Sequence, residues 1–410
     1  MPEQGPSTRA VHAGETPDLT SGAVNVPIHQ STTFWFPELP VGTSPGSSDG
    51  QRGKPSPYIY SRYTNPSVEA VEAKLAALEG APGGTLAFAS GMAAIASLCA
   101  TVLRPGDTLA VQRGIYGGTA AYFEGELKPW GIEVAELDAV APPASLPAGT
   151  RLVWMESITN PLLRVADVRA WAKAAHAAGA RLCTDATFAS PLLQRPLALG
   201  ADVAMHSGTK SLGGHADVTA GFLSFADAAL REAAFLRRRN LGPTLDPHAA
   251  FLLGRGMKTL AVRIERQVRN ALALAQACTA MPGIVAVHHP GLPHHPDHAT
   301  AKALLSGGFG GMVTLDLGSL ERAVAFRRRL RLIAPAASLG GVESLACLPL
   351  ETSHAYAPAA KRRADGVTDG LVRISVGIED LDDLVADVRG AAAPGGPTMH
   401  EKASRDGISH

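Results

Sequence analysis

The chain has 410 residues, in which 37 Lys+Arg balance 37 Asp+Glu, 46% of residues are hydrophobic and only 18% are charged. That length exceeds one ordinary hydrophobic core and calls for two domains, or one large α/β domain with an appendage. Zero net charge argues against a nucleic-acid binder that relies on a global positive field, and the apolar content argues against a disordered chain.

The first ten residues carry no apolar core and do not read as a secretory signal. An N-terminal arm is expected over residues 1–60, with a flexible Gly/Ser/Pro-rich loop at 40–57. Asn65-Pro66 then supplies an N-cap followed by proline at the first helical position, with Glu69 in the first turn and Gly80 past the last. No charge stands between Glu79 and Arg104, and Thr85 to Leu103 has the length of a membrane span. Its Ala/Gly/Ser/Thr content and the reversal at Ser90-Gly91 predict instead a buried strand, a glycine turn and a buried helix. Neither a membrane nor a nucleic acid is expected as a partner.

Further strand-like runs occur at Thr108–Val111, Leu152–Met155, Arg181–Thr184, Val203–His206 and Thr219–Leu223, following the first at Thr85–Ala89. They alternate with helical patterns such as Asp167–Ala178, which Gly179 stops. This alternation predicts a wound, mostly parallel sheet filling a large domain over residues 61–262. A long helical stretch is expected from Pro247 to Ala280, then strands at Met312–Leu317 and Leu371–Val376 among charged helices. These suit a smaller α+β C-terminal domain over 263–392, with a disordered tail at 393–410. The basic runs Arg237–Arg239 and Arg327–Arg331 read as solvated or interface faces. Four cysteines lie far apart with no CxxC, which implies no disulfide framework or zinc site and a reducing cytoplasm. Five histidines between His288 and His298 invite a metal, but the run is proline-rich and lacks i,i+4 support, so no metal is expected.

The most informative segment is Ser207-Gly-Thr-Lys210-Ser-Leu-Gly-Gly-His-Ala-Asp217, directly after a predicted strand. A P-loop fails, because Ala204 stands where its first glycine belongs. Lys210 is then either an ordinary surface lysine or a Schiff-base lysine whose neighbouring hydroxyls bind a cofactor phosphate. The second reading needs an acid at another strand end, for the pyridine nitrogen of pyridoxal phosphate. Asp185, 25 residues earlier, stands at such an end, though turn and cap residues stand there too. Ser90-Gly91-Met92 opens an Ala-rich helix and offers N–H groups to a phosphate. Tyr116, beside the Gly117-Gly118 turn, is either a ring to stack on the pyridine or a core tyrosine.

These residues resemble the cysteine/methionine-metabolism (transsulfuration) family of pyridoxal-phosphate enzymes. That group includes cystathionine γ-synthase, γ-lyase and β-lyase, methionine γ-lyase and O-acetylhomoserine sulfhydrylase. The resemblance runs from Thr8 to Arg389 through Val24–Phe34, Tyr58-Ile-Tyr-Ser-Arg62, Phe88-Ala-Ser-Gly-Met92, Tyr116-Gly-Gly-Thr, Glu156-Ser-Ile-Thr-Asn-Pro161 and Ser207–Asp217. It continues through Arg255-Gly-Met-Lys-Thr-Leu260, Ser338-Leu-Gly-Gly-Val-Glu-Ser344 and Leu371–Asp380. It implies the fold-type-I, aspartate-aminotransferase-like architecture. Lys210 would hold the cofactor and move protons, Asp185 would pair with the pyridine nitrogen, and Tyr116 would stack on the ring as the second catalytic group. Gly91, Met92, Ser207 and Thr209 would bind the phosphate. Tyr60 and Arg62 would reach the cofactor of a neighbouring subunit, making a dimer with shared sites that pairs into a tetramer. Asn160 would sit near the ring hydroxyl and the substrate carboxylate, Arg373 with Ser338 would hold that carboxylate, and Glu343 could meet a substrate amine.

The implied activity is γ-elimination or γ-replacement on a sulfur amino acid or homoserine ester. Cystathionine γ-lyase activity stands first, then cystathionine γ-synthase, then methionine γ-lyase or O-acetylhomoserine sulfhydrylase. A catalytically silent binding or scaffold relative is the rival from another class. Four departures bear on the choice. Ala186 follows Asp185 where the family has Asn, and Ala120-Ala121 replace the polar pair common in γ-lyases. Ile59 stands at an often polar position, and Gly118 where methionine γ-lyases typically carry cysteine.

Overall fold

Alternating apolar residues send side chains to opposite faces of a strand, and here both faces are covered. In the computed structural model, which describes residues 4–34, 58–355 and 358–393, a first sheet collects seven such strands. They are β1 (Gly84–Phe88), β2 (Thr108–Gln112), β3 (Glu133–Leu137), β4 (Thr150–Glu156), β5 (Arg181–Asp185), β6 (Val203–Ser207) and β7 (Gly221–Phe225). Their order is β1-β7-β6-β5-β4-β2-β3. Only β7 runs antiparallel to its neighbours, so the sheet is wound and mostly parallel. Leu109, Leu152, Trp154, Cys183 and Met205 pack on one face against Ile95 and Leu98 of helix Gly91–Val102. Ala110, Val153, Met155 and Leu182 pack on the other against Trp171 and Ala175 of helix Val168–Ala177. The uncharged stretch after Glu79 is thus the expected strand, turn and helix, with the Ser90 hydroxyl capping the Ala93 amide at 3.0 Å. Among the described residues no helix is long and apolar enough to cross a membrane.

The second sheet holds β8 (Ala286–His288), β9 (Met312–Asp316), β10 (Ala334–Pro335), β11 (Leu345–Cys347) and β12 (Leu371–Ser375), in the order β10-β11-β12-β9-β8. Val313, Leu315, Val372 and Ile374 bury one face under helices Leu260–Cys278, Leu320–Arg329 and Leu381–Ala392. The architecture is that of the fold-type-I pyridoxal-phosphate enzymes. The loop expected at 40–57, and all of the expected tail but Ala393, lie outside the described residues.

Local corrections follow from chain geometry. The helical stretch from Pro247 to Ala280 is two helices, Pro247–Lys258 and Leu260–Cys278, because Thr259 sits at φ −104° and ψ 5°. β7 starts at Gly221 rather than Thr219.

The run Arg237–Arg239 is not a uniformly solvated face. Arg238 is only 2% exposed, and its Nη1 donates to Glu72 Oε1 at 2.5 Å and to the Ala87 carbonyl at 2.7 Å. The same Glu72 oxygen accepts the Ala87 amide at 2.8 Å. Helix Pro66–Glu79, strand β1 and helix Ala228–Leu241 are joined through this one buried pair. Arg238→Met leaves the Glu72 carboxylate buried without its countercharge and should cost about 3–5 kcal/mol in urea unfolding. The double variant Arg238→Met/Glu72→Met should recover much of that loss. A single-variant loss below about 1 kcal/mol would place the pair among those of surface strength.

Candidate active site

In a wound sheet, loops after the carboxyl ends of parallel strands gather on one edge and form the natural site. Asp185 ends β5, Glu156 ends β4, and Ser207 ends β6 just before Lys210. The turn Gly208–Leu212 is helical except at Lys210, whose φ −92° and ψ −132° break it. The side chain reaches across to the second sheet's layer, where Lys210 Nζ donates to Ser338 Oγ at 2.9 Å. Burial first, then the nearby Arg373 guanidinium, pushes the Lys210 amine below its ordinary value.

Arg373 lies in the middle of β12 and is 5% exposed. Its Nη1 donates to Asn160 Oδ1 and its Nη2 to the Ser338 carbonyl, each at 3.1 Å. Its Nε is buried with no partner, a donor left free for an incoming carboxylate oxygen. Lys210, Ser338, Arg373 and Asn160 therefore form one hydrogen-bonded group joining the two sheets. Ser338 has φ +101°, a left-handed conformation that costs a non-glycine residue about 1–3 kcal/mol. Two residues on, a Cβ at Gly340 would lie 2.6 Å from the Ser211 amide nitrogen, so this loop rests on the Lys210 turn. Glu343 closes the same loop. Its carboxylate lies where a Cβ on Gly341 would be 2.6 Å from Oε1, and it accepts no hydrogen bond among the described residues.

Asp185 Oδ1 accepts the Thr187 amide at 2.9 Å, and burial raises its carboxyl above the usual range while the Thr187 bonds and nearby His206 oppose that rise. The Ala186 departure therefore leaves Asp185 with a partner: the next residue supplies it. Thr187 Oγ1 also accepts the Ser207 amide at 2.9 Å, tying the ends of β5 and β6 together. Behind them His206 Nε2 and Glu79 Oε1 form a fully buried pair at 2.5 Å. Gly91 begins its helix beside Ser207: a Cβ on Gly91 would come within 3.4 Å of Ser207 Oγ. Gly221 allows that approach, since a Cβ there would lie 2.2 Å from the Ser90 carbonyl oxygen. Met92 follows in the first turn of the helix. The Thr209 hydroxyl is taken up by the Ala220 backbone, accepting its amide at 3.0 Å.

Tyr116 is 47% exposed, so it is not a core tyrosine. Its amide donates to Glu156 Oε1 at 2.5 Å, and its ring leans over Gly118. Tyr60 and Arg62 are grouped elsewhere. The Arg62 guanidinium lies 5.6 Å from the Tyr60 ring centroid and 4.9 Å from that of Tyr63, and it donates to the Arg239 carbonyl. Three of the five clustered histidines bond to backbone: His289 and His295 accept the amides of Gly291 and Asp297, and His298 Nδ1 pairs with the Pro290 carbonyl. Among the described residues no three potential metal ligands converge.

Sequence reasoning assigned no role to Glu156, Thr187, His206 or His354. Glu156 stood inside a quoted motif, but only the register of β4 on β5 sets it beside Asp185. His354 is buried near Arg373, and burial first, then Arg373, lowers it to about 4, so it is neutral at pH 7. The residues present fit pyridoxal phosphate: a desolvated lysine, an acid at a strand end, a helix N-terminus beside Ser207, and an open aromatic ring.

Comparison with known proteins agrees with this geometry. The family described as "Cys/Met metabolism PLP-dependent enzyme" matches residues 7–393. Cystathionine gamma-synthase of Mycobacterium tuberculosis is 41% identical over 393 residues, 94% of this chain and 96% of that protein. L-methionine gamma-lyase of Pseudomonas putida is 38% identical over 390 residues, again 94% and 96%. The crystal structure of cystathionine gamma synthase from Xanthomonas oryzae pv. oryzae in complex with aminoacrylate and cysteine superposes with a TM-score of 0.85. It is 37% identical and covers 95% of this chain and 98% of that one. The relatives' activities differ, so likeness alone does not select among them.

The lowered basicity of Lys210 has a consequence for stability. Between its native value and the ordinary 10.5, the unfolded chain holds a proton that the native chain lacks, so stability rises with pH there. Lys210→Met should therefore stabilise the cofactor-free protein at neutral pH. That advantage should fade as pH rises through 10.5 in chemical denaturation. A difference independent of pH would contradict a desolvated amine.

Proposed function

The chain belongs to the Cys/Met metabolism PLP-dependent enzyme family, whose members act on sulfur amino acids by γ-elimination or γ-replacement, and we propose that it cleaves cystathionine. Cystathionine and water would give cysteine, 2-oxobutyrate and ammonia. The observation that carries this choice is Glu343: a carboxylate without a hydrogen-bond donor, on the loop that supplies Ser338. A distal ammonium group, present in cystathionine and absent from methionine, is the matching partner. Gly118 supports the same choice against methionine, because a side chain there would meet the Tyr116 ring at 2.6 Å.

In this reading Arg373 turns its free Nε, with Asn160 alongside, to the substrate α-carboxylate. The planar guanidinium fixes the orientation of the Cα–H bond as well as the charge. Lys210, Asp185, Tyr116, Gly91, Met92, Ser207 and Thr209 would hold pyridoxal phosphate, which supplies an electron sink for the pair left when the Cα proton departs. The lowered basicity of Lys210 favours Nζ as the base at Cα and then at Cβ, while Ser338 Oγ keeps it in place. Asp185, its Oδ1 bonded to the Thr187 amide, would pair with the ring nitrogen. Tyr60 and Arg62 would serve a neighbouring copy's cofactor, in a cytoplasmic dimer that pairs into a tetramer. Ala120 packs against the core and Ala121 is exposed, so neither lends a polar group to the distal end of the substrate.

Cystathionine γ-synthase activity is the second reading: the mycobacterial enzyme of that name and the cystathionine gamma-lyase of Dictyostelium discoideum are each 41% identical to this chain. Both reactions share the steps up to loss of the γ-substituent. The purified enzyme should be offered cystathionine, methionine, and O-acetyl- or O-succinylhomoserine with cysteine. The expected products are cysteine and 2-oxobutyrate from cystathionine; pyruvate alone would contradict γ-chemistry. Glu343→Gln should raise KM for cystathionine about tenfold and change it little for O-acetylhomoserine, which has no distal amine.

A further inference from the structure

Glu156 has a position that none of the roles above uses. It is the last residue of β4 and the register partner of Asp185, so two carboxyl groups stand side by side at the sheet edge. Glu156 is 5% exposed. Its own amide donates to Gln112 Oε1 at 2.7 Å, and Gln112 is wholly buried and donates in turn to the Ala139 carbonyl. Its carboxyl Oε1 accepts the amide of Tyr116 at 2.5 Å. That amide belongs to the residue that opens helix Gly117–Tyr122, where no side chain of the turn itself caps the helix.

We propose that Glu156 is a positioning residue whose carboxyl group clamps the Tyr116 backbone and so presets the Tyr116 ring for the cofactor. The clamp has three parts. The Tyr116 amide is fixed by Glu156, and the ring lies over Gly118, where a Cβ would be 2.6 Å from Cε1. The turn between them is pressed on the Ser353 carbonyl, 2.0 Å from where a Cβ on Gly117 would sit. With backbone and turn held on both sides, the half-exposed ring keeps one orientation at no further cost in order on binding.

Glu156 does this as a neutral acid. Two adjacent buried carboxylates are costly to ionise together, and the first proton goes to the one with less compensation. Asp185 has the Thr187 bonds and nearby His206, whereas Glu156 has only the Tyr116 amide. Burial and the Asp185 charge accordingly push Glu156 well above the usual carboxylate range. A carboxylic acid and a primary amide then present the same acceptor to Tyr116, so glutamine should replace it.

The inference rests on the proposed stacking of Tyr116, and the experiment separates the two. Hydrogen–deuterium exchange at the Tyr116 amide is read in the cofactor-free protein, and pyridoxal phosphate affinity by titration, for Glu156→Ala, Glu156→Gln and Tyr116→Ala. Glu156→Ala should speed exchange at that amide, and weaken cofactor affinity, each about tenfold or more. Glu156→Gln should restore both. If Tyr116→Ala weakens affinity while Glu156→Ala changes neither readout, the clamp is wrong. If Glu156→Gln is as damaging as Glu156→Ala, the neutral-acid assignment is wrong. If Tyr116→Ala leaves affinity intact, the stacking reading falls and the clamp loses its purpose. Should Glu156→Ala fail to fold, Glu156→Met, of similar size but with no oxygen acceptor, takes its place: faster exchange with weaker affinity supports the clamp, and unchanged values overturn it.

Discussion

A lysine amine removed from water beside a guanidinium is expensive to keep charged, and the site is arranged around that fact. Lys210 and Arg373 come from different sheets and share one loop: Ser338 Oγ accepts from the lysine and its carbonyl accepts from the arginine. Neither sheet makes this arrangement alone. The first contributes a strand end and a broken turn that aim the amine outward, and the second contributes the arginine in mid-strand and the strained loop that stands between amine and guanidinium. Close packing of this loop on the Lys210 turn, which Gly340 permits, holds Ser338 in its strained conformation.

The acids behind the site follow the same logic of shared cost. Asp185, Glu156 and the Glu79–His206 pair lie within or behind the parallel strands, where water cannot compensate them. Each is given a specific partner: an amide from Thr187 for Asp185, an amide from Tyr116 for Glu156, and an imidazole for Glu79. Because the strands are parallel and in register, their ends present these groups at fixed spacing. A small shift of one strand would uncouple acid from base, which is why such a site is built on a sheet rather than on loops.

Much of this was legible in the sequence, for identifiable reasons. An apolar run that ends in a functional residue marks a strand end, so β5 with Asp185 and β6 with Ser207 and Lys210 were readable directly. The Asn65 cap is local and stood where expected, and Ser90 and Asp167, at expected helix starts, cap their helices too. What escaped depends on distant partners or on very short elements. β3 reads Glu-Val-Ala-Glu-Leu at a sheet edge, without a period of two, and β8, β10 and β11 are two or three residues long, too short for a period. Arg238 looked solvated because its partner Glu72 lies 166 residues away. Tyr116 could be core or stacked, and only its exposure excludes the core. Glu156 acquires meaning only from the pairing of β4 with β5.

The central claim is that this one desolvated amine, Lys210 Nζ, carries the cofactor. Borohydride reduction of the protein loaded with pyridoxal phosphate, followed by peptide mass spectrometry, tests it most directly. The account predicts a single reduced pyridoxyl-phosphate adduct per chain, on the peptide containing Lys210, and none in Lys210→Ala. An adduct on another lysine, or stoichiometric labelling that survives the Lys210→Ala substitution, would contradict it.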